Sequence, residues 1–172
     1  MRTSRLIVVS GLPGTGKSTL ADGIGRQLGL PVVSVDPLES AILRAGIVHS
    51  FETGLAAYLV AEAMVDHQLG LGLDVIVDAV NAVEPARDTW RELVRTHGAA
   101  LAVFVCVLDR AAAAARLRMR DRGLALPEPT EGDVDARAAE WTPWPEPHLV
   151  LDAADDPQAN LAQALASLGD GP

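Results

Sequence analysis

Residues 11–18 read Gly-Leu-Pro-Gly-Thr-Gly-Lys-Ser, in which four residues separate Gly11 from Gly16, and Lys17 and Ser18 follow. This is the pattern of a phosphate-binding Walker A loop. The apolar run Leu6–Val9 precedes the loop, and a helical stretch follows it. Strand, loop and helix therefore occur in the order that phosphate binding requires. The alternative is a glycine-rich turn that contains a lysine by chance.

The loop residues predict how a nucleotide would be held. Glycines let backbone N–H groups turn inward around phosphate oxygens, and the start of the helix adds its positive dipole end. Lys17, the only lysine in the chain, is expected to reach the β and γ phosphates, and the Ser18 hydroxyl to ligate Mg²⁺. We therefore predict ATP and Mg²⁺ as cofactors, with loop contacts from Gly11, Pro13, Gly14, Thr15, Gly16, Lys17, Ser18 and Thr19.

Length and composition favour one domain over residues 1–172, because the 49% of hydrophobic residues can build a substantial core. The apolar runs are strand-sized, so we expect a cytoplasmic protein with no membrane segment, either a monomer or a homodimer. Cys106, the single cysteine, lies in an apolar run and is expected to pack as a small buried hydrophobe.

The net charge of −9 argues against a broad electrostatic surface for DNA or RNA. The charge is unevenly distributed, since residues 110–122 hold five arginines and one aspartate, whereas residues 128–156 hold nine acidic residues and one arginine. Positive charge is concentrated where a phosphate-rich ligand could use it.

Short apolar runs predict five strands, at Leu6–Val9, Val32–Val35, Val75–Val77, Leu101–Val107 and Leu149–Leu151. Helical stretches separate them and none of the runs alternates cleanly, which is typical of a parallel sheet covered on both faces. We predict an α/β fold with five parallel strands. The ligand site is expected at the carboxyl ends of the strands, under a proline-rich lid over about residues 110–147.

Asp36 follows the second strand and has two compatible interpretations. It could be the N-cap of a helix, with Pro37 at the first helical position and Glu39 completing a capping box. It could also point into the ligand crevice, where a carboxylate can orient and deprotonate an acceptor hydroxyl. We predict the second role, catalytic and substrate-contacting, in addition to the first.

An acceptor pocket is predicted beside Asp36. Residues 49–54 form a polar and aromatic loop before a helix over residues 55–69, and Arg44, His49 and Tyr58 are its candidate substrate contacts. A surface position is the alternative for His49. The third strand leads into Asp78, the arrangement of a Walker B carboxylate that holds Mg²⁺ directly or through water; a strand-end cap is the alternative.

The arginine-rich segment predicts a helix over Arg110–Arg122. On it Arg116 and Arg120 share one face, and Arg118 and Arg122 share a neighbouring one. Like charges at this spacing destabilise a helix, so ATP phosphates would relieve the repulsion. The alternative is a solvated face whose arginines pair with the acidic segment that follows.

With these motifs, nearly the whole chain resembles the P-loop kinases of the branch that includes polynucleotide kinase, zeta-toxin-type kinases, chloramphenicol phosphotransferase and gluconate kinase. The resemblance implies the three-layer sandwich of P-loop NTPases, with the five strands in the order 2-3-1-4-5. It also implies that Asp36 is the base toward the acceptor hydroxyl and that Arg116 and Arg120 clamp the nucleotide and the transferring phosphate. The segment from Asp78 to Asn81, with Arg87 downstream, looks most like polynucleotide kinase. This resemblance makes Asn81 and Arg87 candidate substrate contacts.

The expected function is an ATP-dependent transfer of the γ-phosphoryl group to the hydroxyl of a small molecule, with Asp36, Lys17 and Arg120 as catalytic residues. Two alternatives remain, a 5′-hydroxyl nucleic-acid kinase and a non-catalytic ATP-binding switch. No acceptor-specific signature is legible in the sequence.

Overall fold

The Walker A stretch joins the first strand to the first helix of a five-stranded parallel sheet in the computed structural model, which describes residues 3–169. The strands are β1 (Arg5–Gly11), β2 (Val32–Ser34), β3 (Val75–Asp78), β4 (Ala100–Val107) and β5 (Leu149–Asp152). Their spatial order is β2-β3-β1-β4-β5, which confirms the prediction. Because all the strands are parallel, their carboxyl ends meet at one edge, where β1 leads into the phosphate-binding loop.

Helices cover both faces of this sheet. They are α1 (Lys17–Leu28), α2 (Val35–Arg44), α3 (Phe51–Gly70), α4 (Glu84–His97), α5 (Arg110–Met119), α6 (Glu131–Glu140) and α7 (Pro157–Gly169). Within residues 3–169, no helix combines the length and the apolar character needed to cross a bilayer.

Two apolar clusters explain why the strands lack a polar face. Leu6 and Val8 pack with α3 and α4 on one side of the sheet, whereas Ile7 and Val9 pack with α1 and α7 on the other. All four side chains are fully buried. Successive strand residues point to opposite faces, so a strand covered on both sides is a continuous apolar run.

Three helix boundaries differ from the prediction. Val35 begins α2 and does not extend β2, and α3 begins at Phe51, so that residues 51–54 are its first turn and not a loop. A capping box between Ser50 and Thr53 explains the earlier start. The third difference is that α5 ends at Met119. Arg120 is extended, and ion pairs hold Arg120 and Arg122 beyond the end of the helix.

Candidate active site at the carboxyl edge of the sheet

The phosphate-binding loop is folded against β4 and α5. A Cβ atom on Gly11 would lie 2.6 Å from the carbonyl oxygen of Cys106, and one on Gly14, whose φ is +85°, would lie 2.9 Å from that of Ala113. Only glycine fits these approaches. Helix α1 begins directly after Gly16, and no side chain caps it, so its first N–H groups are available to an anion.

A cleft of ≈ 690 Å³ opens over this loop. The predicted loop contacts from Gly14 to Thr19 line it, whereas Gly11 and Pro13 are buried outside the lining. Other parts of the lining are the lid arginines and the segment after β5, namely Arg116, Arg120, Arg122, Ala153 and Asn160. The cleft therefore joins an anion-binding loop to three cations, which suits a nucleotide with its phosphates on the loop.

Cys106 also reaches this cleft, but its thiol is suited to packing. The side chain is buried in β4, and burial raises the pKa of the thiol to about 12. It stays a neutral thiol at physiological pH, as the sequence predicted for a small buried hydrophobe.

Lys17 and two carboxylates meet at the edge of the sheet. Lys17 is only 5% exposed, and its positive charge acts on both Asp36 and Asp78. The two aspartates respond differently to their surroundings. Burial works to raise the pKa of Asp36, but the charges of Lys17 and Arg122, with the hydrogen bond from Arg122, hold it below its usual value of 3.8.

Burial has the stronger effect at Asp78 and raises its pKa, against the attraction of Lys17 and the nearby hydroxyls of Ser18 and Ser34. The Ser34 hydroxyl donates a 2.9 Å hydrogen bond to Asp78 Oδ2. The other carboxylate oxygen, Oδ1, is buried and has no hydrogen-bond partner. An orphaned buried oxygen of this kind is costly unless a ligand fills the place.

This arrangement fits Mg²⁺. The described residues contain no group of three or more His, Cys, Asp or Glu side chains that could hold a metal alone. Mg²⁺ does not need one, because it usually keeps several waters and binds through one or two protein oxygens together with substrate phosphates. Ser18 and Asp78 are the predicted metal ligands, and they are the oxygens that could hold it here.

Asp36 occupies the first turn of α2 but is not its N-cap. The N-cap is Ser34, whose hydroxyl is engaged with Asp78 and makes no capping hydrogen bond. The predicted capping box of Asp36, Pro37 and Glu39 is therefore wrong by two residues. The Asp36 carboxylate is instead bound by Arg122, with Nη1 2.5 Å from Oδ2.

Arg122 is the functional candidate that the sequence prediction missed. It bridges Asp36 to Glu128 in the lid, which also binds Arg120 at 2.6 Å. Its second terminal nitrogen, Nη2, is buried and has no hydrogen-bond partner. The signal in the sequence was weak, since Arg122 was one of five arginines and was assigned to a helix that ends before it.

The remaining arginines of the segment 110–122 separate into two groups. Arg110 pairs with Asp135 at 2.6 Å and Arg118 with Glu131 at 2.5 Å, both on the exposed surface. The alternative of pairing with the acidic segment holds for these two on the surface, and Arg120 and Arg122 also pair with Glu128 of that segment. Arg116 lies over the loop, close to Gly16, and donates a 2.7 Å hydrogen bond to the carbonyl oxygen of Ala153.

The predicted acceptor contacts are only partly brought together. Tyr58 lies on the buried side of α3, and its hydroxyl accepts a 3.2 Å hydrogen bond from the Asn81 N–H. His49 lies 3.5 Å from Glu39, which is buried and also accepts a 2.7 Å hydrogen bond from Thr53. Helical spacing places Glu39 on the same side of α2 as Asp36. The sequence prediction treated Glu39 only as a cap.

Arg44 stands apart from these groups. It is exposed at the last position of α2, eight residues beyond Asp36. At 1.5 Å per residue, this separation is about 12 Å along the helix axis. The structure therefore places Arg44 away from Asp36.

Asn81 and Arg87 form part of the framework. Asn81 is fully buried with φ +53°, and its side-chain oxygen accepts a hydrogen bond from Trp90. Arg87 is also fully buried, and its N–H groups are directed at carbonyl oxygens of residues 81, 82, 142 and 143 and at Glu84. Its guanidinium lies over the rings of Trp141 and Trp144. Arg87 was predicted to contact the acceptor, but its guanidinium instead connects α4 to the end of the lid.

Comparisons with known proteins agree with the fold. A family model described as an AAA domain matches residues 6–140. An uncharacterised protein of Mycobacterium tuberculosis is 30% identical over 94% of this chain and 34% of its own length, so the chain spans about a third of the curated relatives it matches. A gluconokinase of Sinorhizobium meliloti has a TM-score of 0.69 at 21% identity, covering 98% of this chain and 94% of that one.

An APS kinase of Mycobacterium tuberculosis, solved in complex with AMPPNP and APS, has a TM-score of 0.74 at 18% identity and covers 99% of this chain and 100% of its own. The region matched by the family model contains the phosphate-binding loop, both aspartates of the site and the lid arginines. The chain therefore belongs to the AAA domain family and has the P-loop α/β fold seen in these kinases.

Proposed function

We propose that this protein is an ATP- and Mg²⁺-dependent kinase that transfers the γ-phosphoryl group to a hydroxyl of a small molecule. One observation carries the proposal. The positive charge of Lys17 acts on two carboxylates whose environments differ. Nearby cations keep Asp36 ionised, whereas Asp78 is buried and one of its carboxylate oxygens has no hydrogen-bond partner. Unequal carboxylates beside an anion-binding loop supply separate candidates for an acceptor group and a metal ligand.

On the donor side, the phosphates of ATP would lie on the N–H groups at the start of α1, with Lys17 between the β and γ phosphates. Arg116 and Arg120 line the same cleft and would neutralise charge that develops on the transferring group. Mg²⁺, held by Ser18 and Asp78, would supply charge neutralisation between phosphate oxygens. A buried carboxylate with an unfilled oxygen is suited to that position.

On the acceptor side, Asp36 would orient the hydroxyl and accept its proton. The charge of Lys17 and the bound Arg122 keep the pKa of Asp36 low, which favours the ionised form but makes it a weak base. The buried Nη2 group of Arg122 has no hydrogen-bond acceptor, so a phosphate oxygen could bind Arg122 and move it away from Asp36. Loss of that cation would raise the pKa of Asp36 when the donor is in place, so that ATP binding would strengthen the base.

The wall behind Asp36 is polar. Glu39, Thr53 and His49 form a chain of contacts there. Hydroxyl groups of an acceptor could donate to carboxylates of this wall, which supports a polyhydroxylated or amine-bearing compound over an apolar one.

The test is phosphoryl transfer from γ-labelled ATP to a pooled panel of sugars, sugar acids, nucleosides, APS, aminoglycoside and phenicol antibiotics, and short oligonucleotides. We expect label in a small hydroxyl compound with wild-type protein and none with Lys17→Ala. Label confined to the 5′ ends of oligonucleotides would establish the nucleic-acid alternative. ATP binding without a labelled acceptor from this panel or a cell metabolite extract would establish the non-catalytic switch.

A further inference from the structure

The contacts of the lid helix α6 define which of its sides faces α5. Val134 is its buried residue. Two surface ion pairs join α6 to α5, Arg110 with Asp135 at 2.6 Å and Arg118 with Glu131 at 2.5 Å. With 3.6 residues per turn, both acidic residues project on the same side of the buried residue. The opposite side of α6 is therefore turned away from α5.

Arg137 and Asp133 lie on that opposite side, which faces the acceptor part of the site. The positive charge of Arg137 acts on Asp36 and on Tyr58, and Asp133 interacts electrostatically with His49. Among the described residues that line the nucleotide cleft, Arg137 does not occur. Arg137 therefore faces the acceptor groups and not the phosphate-binding loop.

The guanidinium of Arg137 has no partner of its own. It makes neither a hydrogen bond nor an ion pair with any residue between positions 3 and 169, the part of the chain that the structure describes. Asp133, one turn before it, accepts hydrogen bonds from the Thr130 N–H and hydroxyl at 2.8 and 2.6 Å. Asp36 is bound by Arg122. Both carboxylates on which its charge acts therefore have other partners, and this guanidinium is available to an anion.

We propose that Arg137 binds an oxyanion of the acceptor, so that the acceptor is a hydroxyl compound that also carries a carboxylate, phosphate or sulfate group. The inference rests on the proposed kinase function and names the class of its acceptor. The reacting hydroxyl lies at Asp36 on α2, and the acid group lies at Arg137 on α6. A guanidinium suits this role because its N–H groups form paired hydrogen bonds with the oxygens of such groups.

The carboxylates near the site are compatible with an acidic acceptor. Arg122 offsets the charge of Asp36, so the charge of Arg137 is left to attract and orient the ligand. With its acid group held at α6, the acceptor directs its hydroxyl toward α2. Further hydroxyl groups of the same compound donate to the polar wall formed by Glu39 and Thr53. A polyhydroxylated acid meets both requirements.

The experiment compares acceptors that differ in an acid group: gluconate with glucitol, glycerate with glycerol, and APS with adenosine. With γ-labelled ATP and Mg²⁺, we expect wild-type protein to label the acidic member of a pair. Arg137→Gln should raise KM for that acceptor by about 10–100-fold, the size of a charged hydrogen bond, and change kcat by less than about threefold. Arg95→Gln makes the same change in an exposed pair with Glu92 on α4 and should leave both constants unchanged. The pair that responds distinguishes a carboxylate from a phosphosulfate group.

A binding measurement separates this inference from the proposed function. With AMPPNP and Mg²⁺ in the donor site, the acidic compound should raise the melting temperature of wild type more than its neutral counterpart does, and Arg137→Gln should lose that difference. Such stabilisation without any labelled product would overturn the kinase function and support the oxyanion site. Labelling confined to neutral acceptors would overturn the oxyanion site and support the kinase function. Equal KM or equal stabilisation in wild type and Arg137→Gln, or no acidic compound that is labelled or stabilises the protein, would also overturn the inference.

Discussion

Replacing Asp36 with Asn tests the acceptor side of the site with little change in shape. The amide oxygen can still accept a hydrogen bond from Arg122, so only the charged part of that interaction is lost. Charged hydrogen bonds contribute about 1.5–3 kcal/mol and neutral ones about 0.5–1.5, so the expected loss in stability is about 1 kcal/mol. A group that is 28% exposed is partly screened by solvent, which reduces this figure further.

The expected loss of activity is much larger. Removing the carboxylate that we propose as the base toward the hydroxyl should lower kcat by about 10²–10⁴-fold, equivalent to about 3–5 kcal/mol in the barrier. ATP affinity, measured by calorimetry, should change little. Asp135→Asn is the matched control, because it makes the same change in an exposed ion pair with Arg110 and has no predicted contact with the acceptor. A kcat for Asp36→Asn within threefold of this control would refute the reasoning.

The same variant gives a pH test of the ion pair. The pKa of Asp36 is lowered on folding, so its contribution to stability is present above the usual value of 3.8 and is lost as the pH falls through the folded value. The difference in unfolding free energy between wild type and Asp36→Asn should therefore shrink below about pH 4. A difference that is constant between pH 7 and pH 3 would contradict the assigned shift.

Three further substitutions separate the roles of the other residues. Arg122→Ala should lower kcat by about 10²–10³-fold, whereas Arg118→Ala, which removes only a surface pair with Glu131, should leave kcat unchanged. Burial raises the pKa of Asp78, so its ionised form costs stability at neutral pH. In the absence of nucleotide and metal, Asp78→Asn should therefore melt at a higher temperature than wild type. Its ATP binding should no longer depend on Mg²⁺, and a retained Mg²⁺ dependence would exclude Asp78 as a metal ligand. Arg87→Ala should destabilise the fold by about 3–5 kcal/mol in urea denaturation, because it leaves buried carbonyl groups unpaired; a loss below about 1 kcal/mol would contradict its framework role.

The sequence predicted the five strands and the donor side because local patterns determine both. The apolar runs mark the buried strands, and the loop around Lys17 carries its phosphate-binding geometry in its own glycines. The order of the five strands came with the resemblance to P-loop kinases. The start of the helix at Arg110 was also predictable, since the Asp109 side chain accepts hydrogen bonds from N–H groups only two and three residues farther on.

The acceptor side was less predictable because contacts between distant residues determine it. The pair of Asp36 and Arg122 joins residues 86 positions apart, and Arg87 reaches acceptors 55 and 56 positions away. Neither separation leaves a periodic signal in the sequence. Asp36 looked like a cap because Pro37 and Glu39 follow it, yet Ser34 takes that position.

Transfer of the labelled γ-phosphoryl group from ATP to an identified small acceptor is the most direct test of the central claim, when wild type is compared with Lys17→Ala. Lys17 is buried at 5% exposure, and its charge acts on both carboxylates of the site. We predict a Mg²⁺-dependent product with wild-type protein and no detectable product with the variant, while both proteins show the same far-ultraviolet circular dichroism. Equal rates of transfer by the two folded proteins would contradict the account.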